Sequence, residues 1–232
     1  MFNKLTLTLL VSALFATPTF AASDNHKIEE IVEMLEANPE VVDGLHESLA
    51  MYIKQQQQFN QLLSSSKTYL NDPRHTYMGA ENGEITLYNV TDFSCPFCKK
   101  LDAELAKLVA DYPQVKVVNL YVPLKEGSSS VNSAAYALNV WNNQRDKFEQ
   151  VNQLLIAKPG THNAASLMKI AQKTGTTKQL NVSDSVEKQL ENNYAMFTGL
   201  GLRGTPALIV GEQVIPGYVP YQQLEQVLKE QL

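Results

Sequence analysis

Two cysteines are all that a chain of 232 residues contains, and its four histidines are scattered at positions 26, 46, 75 and 162. Scaffolds held together by disulfides are cysteine-dense, so that class is excluded. A closed structural zinc site needs four nitrogen or sulfur ligands, a set that one copy of the chain does not bring together and that only pairing between subunits would complete. Lys and Arg number 19 against 24 Asp and Glu, for a net charge of −5, so no basic footprint points to nucleic acid. After the first residues, no uninterrupted apolar run reaches the roughly eighteen residues of a membrane-spanning helix. No internal repeat is evident.

What is present begins with a leader. Met1 to Lys4 are short and positive, "LTLTLLVSALFA" is apolar, and "TPTFAAS" offers small residues for cleavage. This is the pattern of a secretory signal over 1–21, with a short membrane anchor as the alternative. The mature chain is therefore expected to be exported, to a periplasmic compartment where disulfides persist. Its charge is uneven. Ser23 to Thr76 carries nine acidic and four basic residues, and Tyr77 to Leu232 carries fifteen and fourteen. A segment with its own charge character reads as its own unit. The expected division is a helical oligomerisation segment over 22–66, a linker over 67–76 and a catalytic body over 77–232.

In the first of these, Ile28, Ile31, Val32 and Leu35 share one helical face, and Asn38-Pro39 interrupts it. Val42, Leu45, Leu49, Tyr52, Gln56, Phe59 and Leu63 then follow a regular three-four spacing, a heptad seam with one polar member. Such a seam either joins subunits, giving self-association through 28–63, or packs on the chain's own domain. The mixed residues along it match no clean dimer or trimer code. The body reads as strand, helix, strand: "EITLYNVTDF", a helix carrying Leu101, Leu105, Leu108 and Val109, and "VKVVNLYVPL". A helical stretch over about 128–200 follows, then "PALIV", a short second strand and a final helix from about Tyr221.

Both cysteines stand in "TDFSCPFCKK", where the first strand gives way to the first helix. A disulfide across so small a loop stabilises by about 2 kcal/mol on the chain-entropy model, where a long loop would give nearly 5, so a structural bridge would be badly placed. A cysteine opening a helix meets unsatisfied N–H groups and the positive dipole end, which favour the thiolate. Pro96 at the first helical position costs no hydrogen bond. Lys99 and Lys100 add positive potential, and Phe97 supplies no charge. Cys95 is thus the sulfur that attacks or is attacked, and Cys98, one turn on, resolves the mixed disulfide. Asp92 is either a capping or turn carboxylate or a proton relay beneath the pair. Binding of Cu(I) by the two thiolates, in a metal-tolerance role, is an alternative of another class. A pure scaffold role leaves the C-x-x-C unexplained.

Together with "GLGLRGTPALIVGEQVIPGY" and the helical stretch between, these residues resemble the DsbA family of exported thiol-disulfide oxidoreductases over roughly Pro73 to Leu232. The look is closest to the branch of ScsC and Com1-like proteins, and the Thr before the proline and the "TDFSC" lead-in are similar to the isomerases DsbC and DsbG. The resemblance implies a thioredoxin-like α/β fold with a helical insertion, a redox-active Cys95-Cys98 disulfide, and a cis-proline loop at Thr205-Pro206. It implies no cofactor. Unfolded or misoxidised exported proteins are the expected partners, with a membrane redox protein to reset the pair. The chain departs from DsbA itself in having no histidine between the cysteines. Phe97 there implies a milder oxidant, suited to isomerisation, with DsbA-type oxidation as the alternative.

Overall fold

The computed structural model describes residues 20–127 and 131–231, with backbone alone for 20–23. The expected leader lies outside the described residues except for its last two positions, as do residues 128–130 at the start of the expected helical stretch. The chain divides into two compact units, with the division between Gln55 and Gln56. The first holds α1 (Phe20–Ala37), a single 3₁₀ turn at Pro39–Val41, and the opening half of α2 (Val42–Ser65). Its apolar residues are uncovered: Ile28, Ile31, Val32, Val42, Leu45, Leu49 and Tyr52 are each 40–63% exposed.

The second unit contains a five-stranded sheet of order β1-β3-β2-β4-β5, formed by β1 (Thr76–Gly79), β2 (Ile85–Thr91), β3 (Val115–Tyr121), β4 (Ala207–Val210) and β5 (Gln213–Pro216). β2 and β3 run parallel and every other neighbour is antiparallel. The parallel pair needs a crossover, supplied by α4 (Pro96–Asp111). This is the strand-helix-strand core expected from the sequence. Side chains of a strand alternate between faces. Val115, Val117, Leu208 and Val210 accordingly meet Leu101, Leu105 and Leu108 of α4 and Leu224 and Leu228 of α9 (Tyr221–Lys229). Val118, Leu120, Ala207 and Ile209 point the other way, to Met196 and Phe197.

Between β3 and β4 the helical insertion comprises α5 (Ser133–Asn143), α6 (Arg145–Ala157), α7 (Ala164–Thr174) and α8 (Asp184–Gly199). It has its own apolar core around Tyr136, Leu138, Val151, Leu155 and Leu167, which Phe93 and Tyr121 of the sheet region join. Full burial of a large apolar side chain stabilises by about 1.5–3 kcal/mol, so a core of this size holds the insertion firmly against the strand ends that carry the cysteines.

Two expected boundaries move. The last turns of the segment expected over 22–66 belong to the second unit, because Phe59, Leu62 and Leu63 pack against the Met196–Phe197 core. The heptad spacing is thus shared by an uncovered half and a half that faces the chain's own body. The linker expected over 67–76 is likewise part of the body. It forms α3 (Lys67–Leu70), buries Leu70, His75 and Thr76, and enters β1. His75 is fixed by its Nε2 against the Tyr69 carbonyl at 3.1 Å and by Gln189 on Nδ1 at 3.1 Å.

Candidate active site

Cys95 is the residue before the first turn of α4, with extended backbone (φ −92°, ψ 121°). Its N–H donates to the Asp92 carbonyl at 3.0 Å, and its own carbonyl accepts from Lys99 N–H at 3.2 Å. Pro96 follows in the first helical position, where no N–H is needed, and is exposed. With Pro96 lacking an N–H and the Cys95 N–H bonded to Asp92, the backbone N–H groups of Phe97 and Cys98 are the ones left without intrahelical acceptors at this helix start. Cys98 faces inward one turn later, 1% exposed, against 3% for Cys95. Burial, and next its hydrogen bond with Cys95, push the Cys98 thiol well above the ordinary cysteine range.

The partner of Cys95 comes from the far end of the insertion. Its thiol donates to the Thr205 carbonyl, Sγ to O 3.4 Å, and the Thr205-Pro206 peptide bond is cis. Pro206 is buried at the mouth of β4. Beside this loop opens a groove of about 520 Å³, lined by Leu200, Leu202, Arg203, Thr205, Val214 and Pro216 among others. Phe97 stands 55% exposed next to Cys95, with the Lys100 ammonium 5.4 Å from its ring centre.

Asp92 braces the turn before the cysteines. Its Oδ1 accepts from Ser94 N–H at 2.8 Å and its Oδ2 from Lys125 N–H at 2.9 Å, while burial raises its pKa. Lys99 is half-buried and donates to the Lys158 carbonyl. Burial lowers its pKa, and Asp92, Asp102 and Glu126 act in the opposite sense.

Several residues of the surroundings were not legible in the sequence. Ser94 Oγ donates to Glu126 Oε1 at 2.7 Å and accepts from His162 N–H at 2.9 Å, and Glu126 Oε2 accepts from Ser133 N–H at 2.7 Å. These bonds tie the residue before Cys95 to two points of the insertion. Asp102 lies one turn beyond Cys98, half-buried, its Oδ1 accepting from Asn89 Nδ2 at 3.1 Å. Asn89 also donates to Asn119, which donates to Thr76, so a buried polar row crosses three strands. Asp102 borders both a cavity of about 10 Å³ shared with Thr91, Asn119 and Tyr121 and an outer cleft of about 450 Å³ shared with Tyr77, Ala103 and Glu149.

Burial pushes the Asp102 carboxyl up to about 7, well above the ordinary range of an aspartate. An acid with a raised pKa holds its proton longer folded than unfolded, so it contributes stability below pH 4 that is lost as pH rises through 7. The Asp102→Asn variant is expected to resist urea better than the parent at pH 8, with the advantage shrinking towards pH 5. Midpoints that differ by the same amount at every pH would contradict the assignment.

With the Cys95 sulfur against the Thr205 carbonyl of a groove-lining loop and Cys98 one turn on, both shielded at rest, the pair has the make-up to exchange bonds with an external disulfide or dithiol. Among the described residues no group of three His, Cys, Asp or Glu is arranged to hold a metal ion.

Known proteins are similar to this chain in sequence and fold. A family model described as Thioredoxin matches residues 71–230. A linker-deleted form of ScsC from Proteus mirabilis superposes with a TM-score of 0.71 at 29% identity, covering 94% of this chain and 98% of that one. The catalytic domain of the same protein is 35% identical, with a TM-score of 0.68 over 74% of this chain and 97% of that. A periplasmic thioredoxin-like protein from Salmonella enterica serovar Typhimurium is 38% identical, with a TM-score of 0.64 over 69% and 91%. Among curated proteins, 103 residues are 26% identical to part of the Na(+)/H(+) antiporter NhaA 3 of Salinispora tropica. The chain spans 16% of the length of that relative.

Proposed function

Because the chain belongs to the thioredoxin family, as a DsbA-type thiol-disulfide oxidoreductase close to ScsC, we propose that it is exported and reshuffles wrongly paired disulfides in other exported proteins. The observation that supports this most is the placement of Cys95 Sγ against the Thr205 carbonyl beside an open groove, with Cys98 buried behind it. Cys95 and Cys98 are the redox-active pair in this reading, and Thr205-Pro206 the loop that receives the client.

The Cys95 thiolate attacks one sulfur of a client disulfide. A Cys95–client bond forms, the client disulfide breaks, and the second client sulfur leaves as a thiolate. When another client thiolate attacks the mixed disulfide, a new client disulfide forms and Cys95 is released unchanged; no net oxidation occurs. When Cys98 attacks instead, the client leaves reduced and Cys95-Cys98 becomes the disulfide, which a membrane redox partner then reduces. The raised pKa of Cys98 slows this second route and leaves the client time to rearrange.

The uncovered residues between Ile28 and Tyr52 serve self-association in this reading, since that much apolar surface is uncommon on a monomer. Two or more sites on one assembly then act on one client. The test is refolding of a scrambled multi-disulfide protein. Native pairing recovered well above the rate in dithiol buffer alone is expected. Recovery at the buffer rate would contradict isomerisation and leave oxidation as the activity.

A further inference from the structure

The groove beside Thr205 carries one charged side chain, Arg203, in a lining that is otherwise apolar, glycine or backbone: Leu200, Leu202, Val214 and Pro216 with Gly201, Gly204 and Gly217. Arg203 is exposed and makes no ion pair or hydrogen bond among the described residues. On the other flank of Cys95, Lys100 is also exposed and has no carboxylate partner among the described residues, standing over Phe97. Both cations are unneutralised although the chain as a whole carries −5. Lys107 of the same helix as Lys100, by contrast, is paired with Glu104 at 3.0 Å.

Distance fixes what Arg203 can reach. It precedes Thr205 by two residues, so the two Cα atoms lie no more than roughly 7 Å apart. The Thr205 carbonyl is itself at Cys95 Sγ. An extended client advances about 3.3 Å per residue, so a cysteine held at Cys95 brings its neighbours one or two places away alongside Arg203. The apolar walls take uncharged side chains without penalty. A carboxylate there gains a partner, and a lysine meets a like charge.

We propose that Arg203 selects client segments that carry an Asp or Glu within two residues of the reacting cysteine. The inference rests on the oxidoreductase reading above and names the substrate class for it. Arg203 thereby acts as a specificity-determining side chain, and the attraction runs against the net charge of the chain, which would by itself repel acidic peptides.

The test uses full-length reduced protein and three peptides that differ only at the second residue after a single cysteine, Asp, Ala or Lys. Each is presented as a mixed disulfide with thionitrobenzoate. Attack of the Cys95 thiolate on the peptide sulfur forms the Cys95–peptide disulfide and expels thionitrobenzoate, whose absorbance gives the rate. The Asp peptide is expected to react about fivefold faster than the Lys peptide at low salt, as fits a partly exposed pair, and the ratio should approach one near 0.5 M salt. In Arg203→Glu the ratio should invert, and in Arg203→Ala it should flatten. Equal rates for Asp and Lys in the parent, or an unchanged ratio in Arg203→Glu, would overturn the specificity alone. No release from any of the three would overturn the oxidoreductase reading, and the specificity with it.

Discussion

A protein shortened to residues 56–232 is expected to lose isomerisation of a scrambled substrate by about tenfold or more, while its oxidation of a simple dithiol peptide stays within about twofold. The cut follows the division of the chain into units rather than the end of α2. Phe59, Leu62 and Leu63 pack on the Met196–Phe197 core, so a cut at Ser66 would strip their cover from it and confound loss of assembly with loss of the fold. What the cut at 55 removes is the part whose apolar residues have no cover, including Leu45, Leu49 and Tyr52 at 45%, 53% and 63% exposure. If these residues join copies, a client released by one Cys95 remains within reach of another, at an effective concentration far above that in free solution. Oxidation of a small dithiol needs one site and gains nothing from a second. Light scattering should give a multiple of the chain mass for the full-length protein and a monomer for the shortened one. Equal isomerisation by both forms would show that the uncovered stripe serves another purpose.

The reactive junction was readable because its parts are local. The strand-like run "EITLYNVTDF", a cysteine, Pro96 and a helical period through Leu101, Leu105 and Leu108 are adjacent in sequence, and the structure builds β2, ending at Thr91, then the turn and α4 from them in that order. The heptad was readable as a helix but not in its partner. One spacing runs from Val42 to Leu63, and only the fold shows that Phe59 and Leu63 meet the chain's own core while Val42 and Leu49 do not. Periodicity reports that a face is apolar and is silent on what covers it.

The rest was hidden for a related reason. β1 is four residues long and ends on Gly79, too short for alternation to register. Asp102 looks like any surface acid of an amphipathic helix, and its character comes from its burial against the sheet, where Asn89 of a neighbouring strand bonds it. Glu126 lies in a charged loop, and its partners Ser94 and Ser133 come from different elements. Asp92 was legible as an acid near a helix start, but only the N–H groups of Ser94 and Lys125 decide that it braces the turn. In each case the sequence holds the group and the tertiary fold holds the partner.

The central question is whether Cys95 forms a covalent bond with a client while Cys98 waits behind it. Removing the second sulfur should make that bond last. Reduced Cys98→Ser protein, mixed with a scrambled multi-disulfide substrate and quenched with acid, is expected to accumulate a species of combined mass that reductant dissolves. Peptide mapping should place the link at Cys95. The Cys95→Ser protein should give none. The same adduct yield from both variants, or no adduct from either, would contradict the claim that Cys95 trades bonds with other proteins.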